Sequence, residues 1–186
     1  MTDINRINEL VGNKEFEEAR VLITVGLDES PNDVELLKLG GLTDVNLNLW
    51  DEARQKFESV VKFTPEDATS WFYLAGCYDK LGDLISAKNA YITVLQLRPE
   101  YMEAYQSLCV TLLKLNDIEE TIKYATKASE IDKEAYIYDF IIGTAYMKNK
   151  DYEKALEPLL HASEKAPENL GTLNSLGTCY MATGKS

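Results

Sequence analysis

Between residues 68 and 101, apolar side chains recur at Trp71, Leu74, Ala75 and Tyr78, the i, i+3, i+4, i+7 spacing of one helix face. The pattern breaks at Leu81-Gly82-Asp83, where a glycine suits a helix end. It resumes at Leu84, Ala87, Tyr91 and Val94 and closes at Pro99. Two helices joined by a tight turn are predicted. Asp83, Asp117 and Asp151 stand at the same place in successive segments, where a carboxylate accepts the unpaired N–H groups that open a second helix.

The same hairpin pattern repeats along the chain. Pro31, Pro65, Pro99, Lys133 and Pro167 lie 34 residues apart, as do Ala19, Ala53, Ala87, Thr121 and Ala155. Large residues precede the second series at Phe16, Trp50, Leu84, Ile118 and Tyr152, and small ones recur at Gly41, Ala75, Cys109, Gly143 and Gly177. This spacing predicts one solenoid over residues 1–186, in repeats 1–33, 34–67, 68–101, 102–135 and 136–169 with a half repeat at 170–186. Neither helix of a hairpin buries its apolar face alone, so the hairpins must stack. The small positions are where two helices approach closely.

Three places depart from the pattern. Gly40 stands where a large apolar residue is expected and Asp44 where an aromatic is expected, which leaves the facing of that helix open. Asp139 takes the tryptophan place of its repeat, with Tyr138 beside it to fill the gap. The first repeat keeps only the stripe Ile4, Ile7, Leu10 and Val11, and its polar Asp3, Asn5, Arg6 and Asn8 suit a solenoid end that meets water. The half repeat is either a solvating cap helix or the cut end of a longer repeat protein, and the second is expected. Gly184-Lys185-Ser186 matches the end of the phosphate-binding motif GxxxxGK(S/T), but its first glycine falls at Cys179, so the motif fails.

These residues resemble the tetratricopeptide repeat family, whose 34-residue unit runs Trp, Leu-Gly, Tyr, then Ala, Phe, Ala and Pro. The third repeat carries Trp71, Leu74-Ala75, Tyr78, Ala87, Tyr91, Val94 and Pro99. The fifth keeps Ile142-Gly143, Tyr146, Ala155, Leu159, Ala162 and Pro167, and the sixth begins with Leu173, Leu176-Gly177 and Tyr180. The resemblance covers the whole chain. It implies an all-α fold, a right-handed superhelical solenoid of antiparallel helix hairpins, whose first helices line a concave groove that holds peptides of partner proteins.

Carried onto this chain, the resemblance makes Lys38, Phe72, Asp79, Gln106, Val110, Leu113, Phe140, Thr144 and Met147 the expected partner-binding residues of the groove. Leu42, Val45, Gly76, Asn174, Thr178 and Met181 complete its inward positions. Phe72, Val110, Leu113, Phe140 and Met147 make the middle apolar, which points to an apolar or amphipathic partner segment. Phe72 and Phe140 are the expected anchors, while Val110 and Leu113 fit packing against the neighbouring repeat equally well. Lys80, Lys114 and Lys148 recur near first-helix ends, where they complement the helix dipole or grip an acidic peptide at the rim.

Two specialisations of the family fail residue by residue. The places where heat-shock co-chaperones hold a C-terminal carboxylate contain Ile4, Asn8, Leu39, Thr69 and Tyr73, or one repeat later Lys38, Leu42, Tyr73, Glu103 and Ser107. The asparagine ladder of O-linked N-acetylglucosamine transferases reads Asn5, Leu39, Tyr73, Ser107, Ile141 and Ser175. The expected function is therefore a non-catalytic protein–protein scaffold or adaptor. The alternatives are a targeting or regulatory arm of a larger enzyme, such as a glycosyltransferase or signalling protein, and a module that self-associates through its solenoid ends.

Composition narrows the classes further. Lys and Arg number 19 against 31 Asp and Glu, a net charge of −12, which argues against nucleic acid and against anionic membrane surfaces. The 45% hydrophobic content is enough for a core. No apolar run is long enough for a membrane span and the N-terminus lacks a leader's basic start, so a cytoplasmic protein without membrane insertion is predicted. Cys77, Cys109 and Cys179 are too far apart for a disulfide framework or zinc pair, and His161 is the single histidine. No catalytic residue, cofactor or metal site is expected, and His161 is given no role. Substituting Ala87 by Leu should overpack the hairpin and lower stability by ~1–3 kcal/mol. An unchanged thermal midpoint would contradict that assignment.

Overall fold

The structure, a computed structural model, describes residues 3–184. Lys185 and Ser186, which complete the failed phosphate-binding motif and the half repeat, lie outside the described residues. The described residues form an all-α chain of eleven helices. The first helices of the hairpins are α1 (Ile4–Gly12), α3 (Val34–Asn46), α5 (Ala68–Leu81), α7 (Met102–Leu115), α9 (Tyr136–Lys148) and α11 (Leu170–Thr183). The second helices are α2 (Phe16–Glu29), α4 (Trp50–Phe63), α6 (Leu84–Leu97), α8 (Ile118–Ile131) and α10 (Tyr152–Lys165). From α2 onward, helices of each kind begin at intervals of 34 residues. The large residues Phe16, Trp50, Leu84, Ile118 and Tyr152 open the second helices.

Local chemistry sets these boundaries. Asp33, Asp67 and Asn169 accept hydrogen bonds from the N–H groups at the starts of α3, α5 and α11. Asp83 accepts from Ser86 N and Asp117 from Glu120 N, as their shared position predicts. Asp151 departs from that expectation. Its side chain makes no cap hydrogen bond to the start of α10 and instead pairs with Lys154 Nζ at 2.7 Å. The turn inside each hairpin places one residue in the left-handed region. Gly82 does so at φ 84°, but Lys14, Asn48, Asn116 and Lys150 adopt φ of 60–64° at the same point of the other turns. Gly82 is the residue read from sequence as a helix end; Asn48 and Asn116 tolerate the left-handed region through their short polar side chains, whereas Lys14 and Lys150 adopt it against their own preference.

The chain divides into two compact units, Met1–Pro99 and Glu100–Ser186. In the first, α1 to α6 pack in sequential pairs, with cores around Ile7, Leu10, Ile23 and Leu36 and around Phe57, Leu74 and Cys77. The polar Asp3, Asn5, Arg6 and Asn8 face water, and Ile7 and Leu10 are buried. In the second, α7 to α11 enclose Tyr105, Leu108 and Leu112 and a cluster of Ala155, Leu159, Leu176 and Cys179. Tyr138 is buried there and donates its hydroxyl to Met102 O at 3.1 Å, so it fills the place that Asp139 leaves. Asp139 turns to Lys165, 2.6 Å away.

Gly40 and Asp44 have one joint explanation. Asp44 is fully buried and accepts from Arg20 Nε of α2 at 3.1 Å and from Lys56 Nζ of α4 at 2.6 Å. A side chain at residue 40 would meet the Lys56 stem, with a Cβ only 2.8 Å from its Cδ. The glycine thus opens the path by which Lys56 reaches the carboxylate.

The small positions are contact points of differing kinds. A Cβ on Gly41 would lie 2.7 Å from the Phe57 ring, and one on Gly143 would lie 2.5 Å from Leu159 Cγ. Around Gly177 a Cβ would meet nothing within 4 Å. The same substitution therefore has opposite signs at two equivalent places. Gly143→Ala should overpack α9 against α10 and cost about 1–3 kcal/mol. Gly177→Ala should stabilise by up to about 1 kcal/mol through helix propensity alone. Chemical denaturation of both variants checks the pair, and equal signs would refute it.

Candidate partner-binding surfaces

In the first unit, α3 and α5 lie side by side and leave a cavity of about 250 Å³ between them. Its floor is the ring of Phe57, buried by α4 and stacked on Tyr73 with centroids 5.4 Å apart. Leu42 forms one wall, and Lys38, Asp67, Thr69 and Ser70 form the rim. Lys38 pairs with Asp67 across the mouth at 2.5 Å. Asp67 also accepts from Ser70 Oγ at 2.9 Å while capping α5, so its carboxylate is occupied from within the chain. Lys38 keeps further N–H donors for a guest, and the rest of the cavity offers apolar surface.

Of the inward positions named from sequence, this cavity collects Lys38 and Leu42 but not Phe72. The Phe72 ring is half-buried and lies edge-on to Tyr73 and Tyr91, with centroids 6.0 and 5.8 Å apart. Asp79 is half-buried further along α5. Phe57, Asp67 and Ser70 were missed. Asp67 was readable as an N-cap, an aspartate one residue before an apolar helix, whereas Phe57 belongs to the opposite helix and only packing brings it here.

In the second unit, Gln106 and Val110 of α7 are exposed, Val110 at 41%, and Leu113 is half-buried. Phe140 and Met147 of α9 are half-buried and pack against the cluster around Leu159 and Leu176. The Thr144 hydroxyl is buried and has no hydrogen-bond partner among the described residues. The lysine series does not act as one ladder. Lys80 Nζ sits 5.6 Å from the centre of the Trp50 ring, and Lys148 Nζ donates to Leu113 O near the C-terminal end of α7. The second arrangement places a cation at a helix C-terminus, but on the neighbouring helix rather than its own.

Residues 39–87 match the family model described as Tetratricopeptide repeat. The crystal structure of YrrB, described as a TPR protein with an unusual peptide-binding site, superposes with a TM-score of 0.85 at 22% identity, covering 92% of this chain and 89% of that one. The fold is the tetratricopeptide repeat fold. Among curated proteins, the DnaJ protein P58IPK homolog B of Oryza sativa subsp. japonica is 26% identical over 166 residues, which cover 81% of this chain and 35% of that protein. The Hsp70-Hsp90 organizing protein 1 of Glycine max is 24% identical over 174 residues, covering 94% of this chain and 29% of that protein. The chain thus spans about a third of the length of the curated relatives it matches.

Inside this fold the thiols are chemically quiet. Burial pushes the Cys77 and Cys109 thiols up to about 12 and raises that of Cys179 as well. Since the thiolate is the nucleophile, none of the three is poised for reaction at neutral pH. Among the described residues, no group of three or more His, Cys, Asp or Glu is placed to hold a metal ion, and no helix is long and apolar enough to cross a membrane.

The Lys38–Asp67 pair ties the cavity's rim to pH. Burial pulls the Asp67 carboxyl upward, but hydrogen bonds from Lys38 and Ser70 outweigh it and hold the group below the usual carboxylate range. A depressed folded value means that the pair's contribution is present above the ordinary carboxylate range and is lost as pH falls through the folded value. Thermal midpoints measured from pH 7 down to pH 2.5 should therefore fall less steeply for Asp67→Asn than for the parent chain. Parallel curves would remove the assignment.

Proposed function

We propose that the chain is a non-catalytic adaptor that holds a segment of another protein against the first-helix faces of its tetratricopeptide repeats. The observation that carries this reading is the cavity between α3 and α5, an apolar recess floored by Phe57, Leu42 and Tyr73 and edged by a lysine with donors to spare. Its volume of about 250 Å³ suits one large apolar side chain of a guest, whose neighbouring backbone carbonyl accepts from Lys38. The half-exposed apolar residues of α7 and α9 add a second stretch of the same character.

Relatives named as DnaJ proteins and as an Hsp70-Hsp90 organizing protein support an adaptor within the protein-folding machinery. The guest recognised here differs from a free C-terminal carboxylate. Asp67 already occupies one valence of Lys38, and Leu42, Thr69 and Tyr73 around it provide no second cation. An apolar side chain inside a guest segment fits that lining better. The peptide-binding site named for YrrB supports a peptide segment as the guest.

Site-specific photo-crosslinking tests the reading. A benzoyl-phenylalanine placed at Thr69, on the cavity rim, should capture a partner in lysate that the same group at Lys62, on exposed α4 surface, does not. Tyr73→Ala should reduce that capture at least several-fold. Equal capture from both positions, or capture unaffected by the Tyr73 change, would overturn it.

A further inference from the structure

The second unit contains a larger cavity that none of the expected groove residues line. It measures about 550 Å³ and opens between α8 and α10. Ile142 and Tyr146 of α9 form its floor, Thr126 of α8 one side, and Lys154, Glu157, Pro158 and His161 of α10 the other.

The repeat itself shows what such a place can hold. Sixty-eight residues earlier, Tyr78 corresponds to Tyr146 and Glu58 to Thr126. There the Tyr78 hydroxyl donates to Glu58 Oε1 at 2.8 Å. Arg54 donates to the same oxygen at 2.7 Å and to Asp51 at 2.8 Å. An arginine fork from within the chain is thus built beside that tyrosine. In the second unit the Arg54 place is taken by Ile122 and the Glu58 place by Thr126, so both charges are missing and Ile142 is half-exposed where its counterpart Leu74 is buried.

The lining that remains favours a cation. Glu157 is exposed and has no ion-pair partner among the described residues. Pro158 lies inside α10 and has no N–H, which leaves the carbonyl of Lys154, four residues earlier, without its helical donor. The Lys154 ammonium is neutralised by Asp151 at 2.7 Å. An unpaired carboxylate and the Tyr146 side chain therefore line one recess, with Ile142 and Pro158 as its apolar lining and a Lys154 carbonyl that lacks its helical donor beside them. A guanidinium matches that set: it forks onto a carboxylate, lies on an aromatic face and lays its stem along apolar surface. The chain's net charge of −12 draws cationic segments toward it.

We propose that this recess between α8 and α10 is a second binding site, which takes an arginine side chain presented by a segment of a partner protein. It stands apart from the first-helix cavity, and neither reading depends on the other.

His161 reports on it directly, being the single histidine of the chain and part of the lining. The intact 186-residue chain is titrated with the tripeptide Ac-Ala-Arg-Ala-NH2 while the His161 imidazole proton is followed by NMR, and in parallel with Ac-Ala-Glu-Ala-NH2. The arginine peptide should give a saturable shift and the glutamate peptide none. Glu157→Gln should weaken binding about tenfold, equivalent to about 1.4 kcal/mol. Pro158→Ala, which returns an N–H to the Lys154 carbonyl, should weaken it by a smaller factor. A glutamate peptide that binds as tightly, binding unchanged in both variants, or no saturable shift with the arginine peptide would each overturn the proposal.

Discussion

The second and fifth hairpins are each closed by a meeting of unequal side chains, and the cavity between α3 and α5 depends on the first of these contacts. Phe57 presses on Gly41 and Leu159 on Gly143, each large residue lying 16 positions after the small one. Helices that approach this closely lock their rotation about their own axes, since ridges on one must enter grooves on the other. That rotation decides which side of each first helix turns outward. Lys38, Leu42 and Thr69 reach a common cavity because Phe57 is held beneath them by its contact with Gly41. The α11 helix shows the converse: around Gly177 nothing approaches, and Leu170 and Met181 stand 74% and 81% exposed.

Asp44 adds a polar constraint to this apolar one. A buried carboxylate is tolerated only when its charge is met and its lone pairs are occupied, and Arg20 and Lys56 do both from two different helices. The triad therefore ties α2, α3 and α4 in one register. Gly40 belongs to the same device, because a Cβ there would lie 2.8 Å from the Lys56 Cδ and push its stem aside. What looked from the repeat pattern like two unrelated departures is one internal ion-paired cluster.

The two recesses differ in kind for reasons visible in their charges. On the α3–α5 side the ionic groups pair with each other across the rim, so the open surface is apolar. On the α8–α10 side one cation is paired off and one carboxylate is left over, while a proline frees a carbonyl. Both differences come from a few substitutions on one scaffold, such as Thr126 for Glu58 and Ile122 for Arg54, with the helices unchanged in place. Repeated hairpins thus vary the chemistry of their surfaces while their helices keep one interval.

Sequence alone carried the helices, their 34-residue interval, the large residue that opens each second helix and the small positions of the first, because these follow from which faces of a helix must be apolar. It also carried the caps of Asp83 and Asp117, which are local. It did not carry Asp151's turn toward Lys154, the left-handed backbone at Lys14, Asn48, Asn116 and Lys150, or the pairing of Asp44. At the first cavity it named Lys38 and Leu42 as inward-facing and Phe72 as an anchor, whereas packing gives Tyr73 to the cavity and sets Phe72 edge-on to Tyr91. Periodicity reports the direction of a side chain from its own helix, and that is a property of neighbours three and four residues away. What a side chain finds in that direction depends on residues 12 to 36 positions distant, brought there only when the hairpins close and stack.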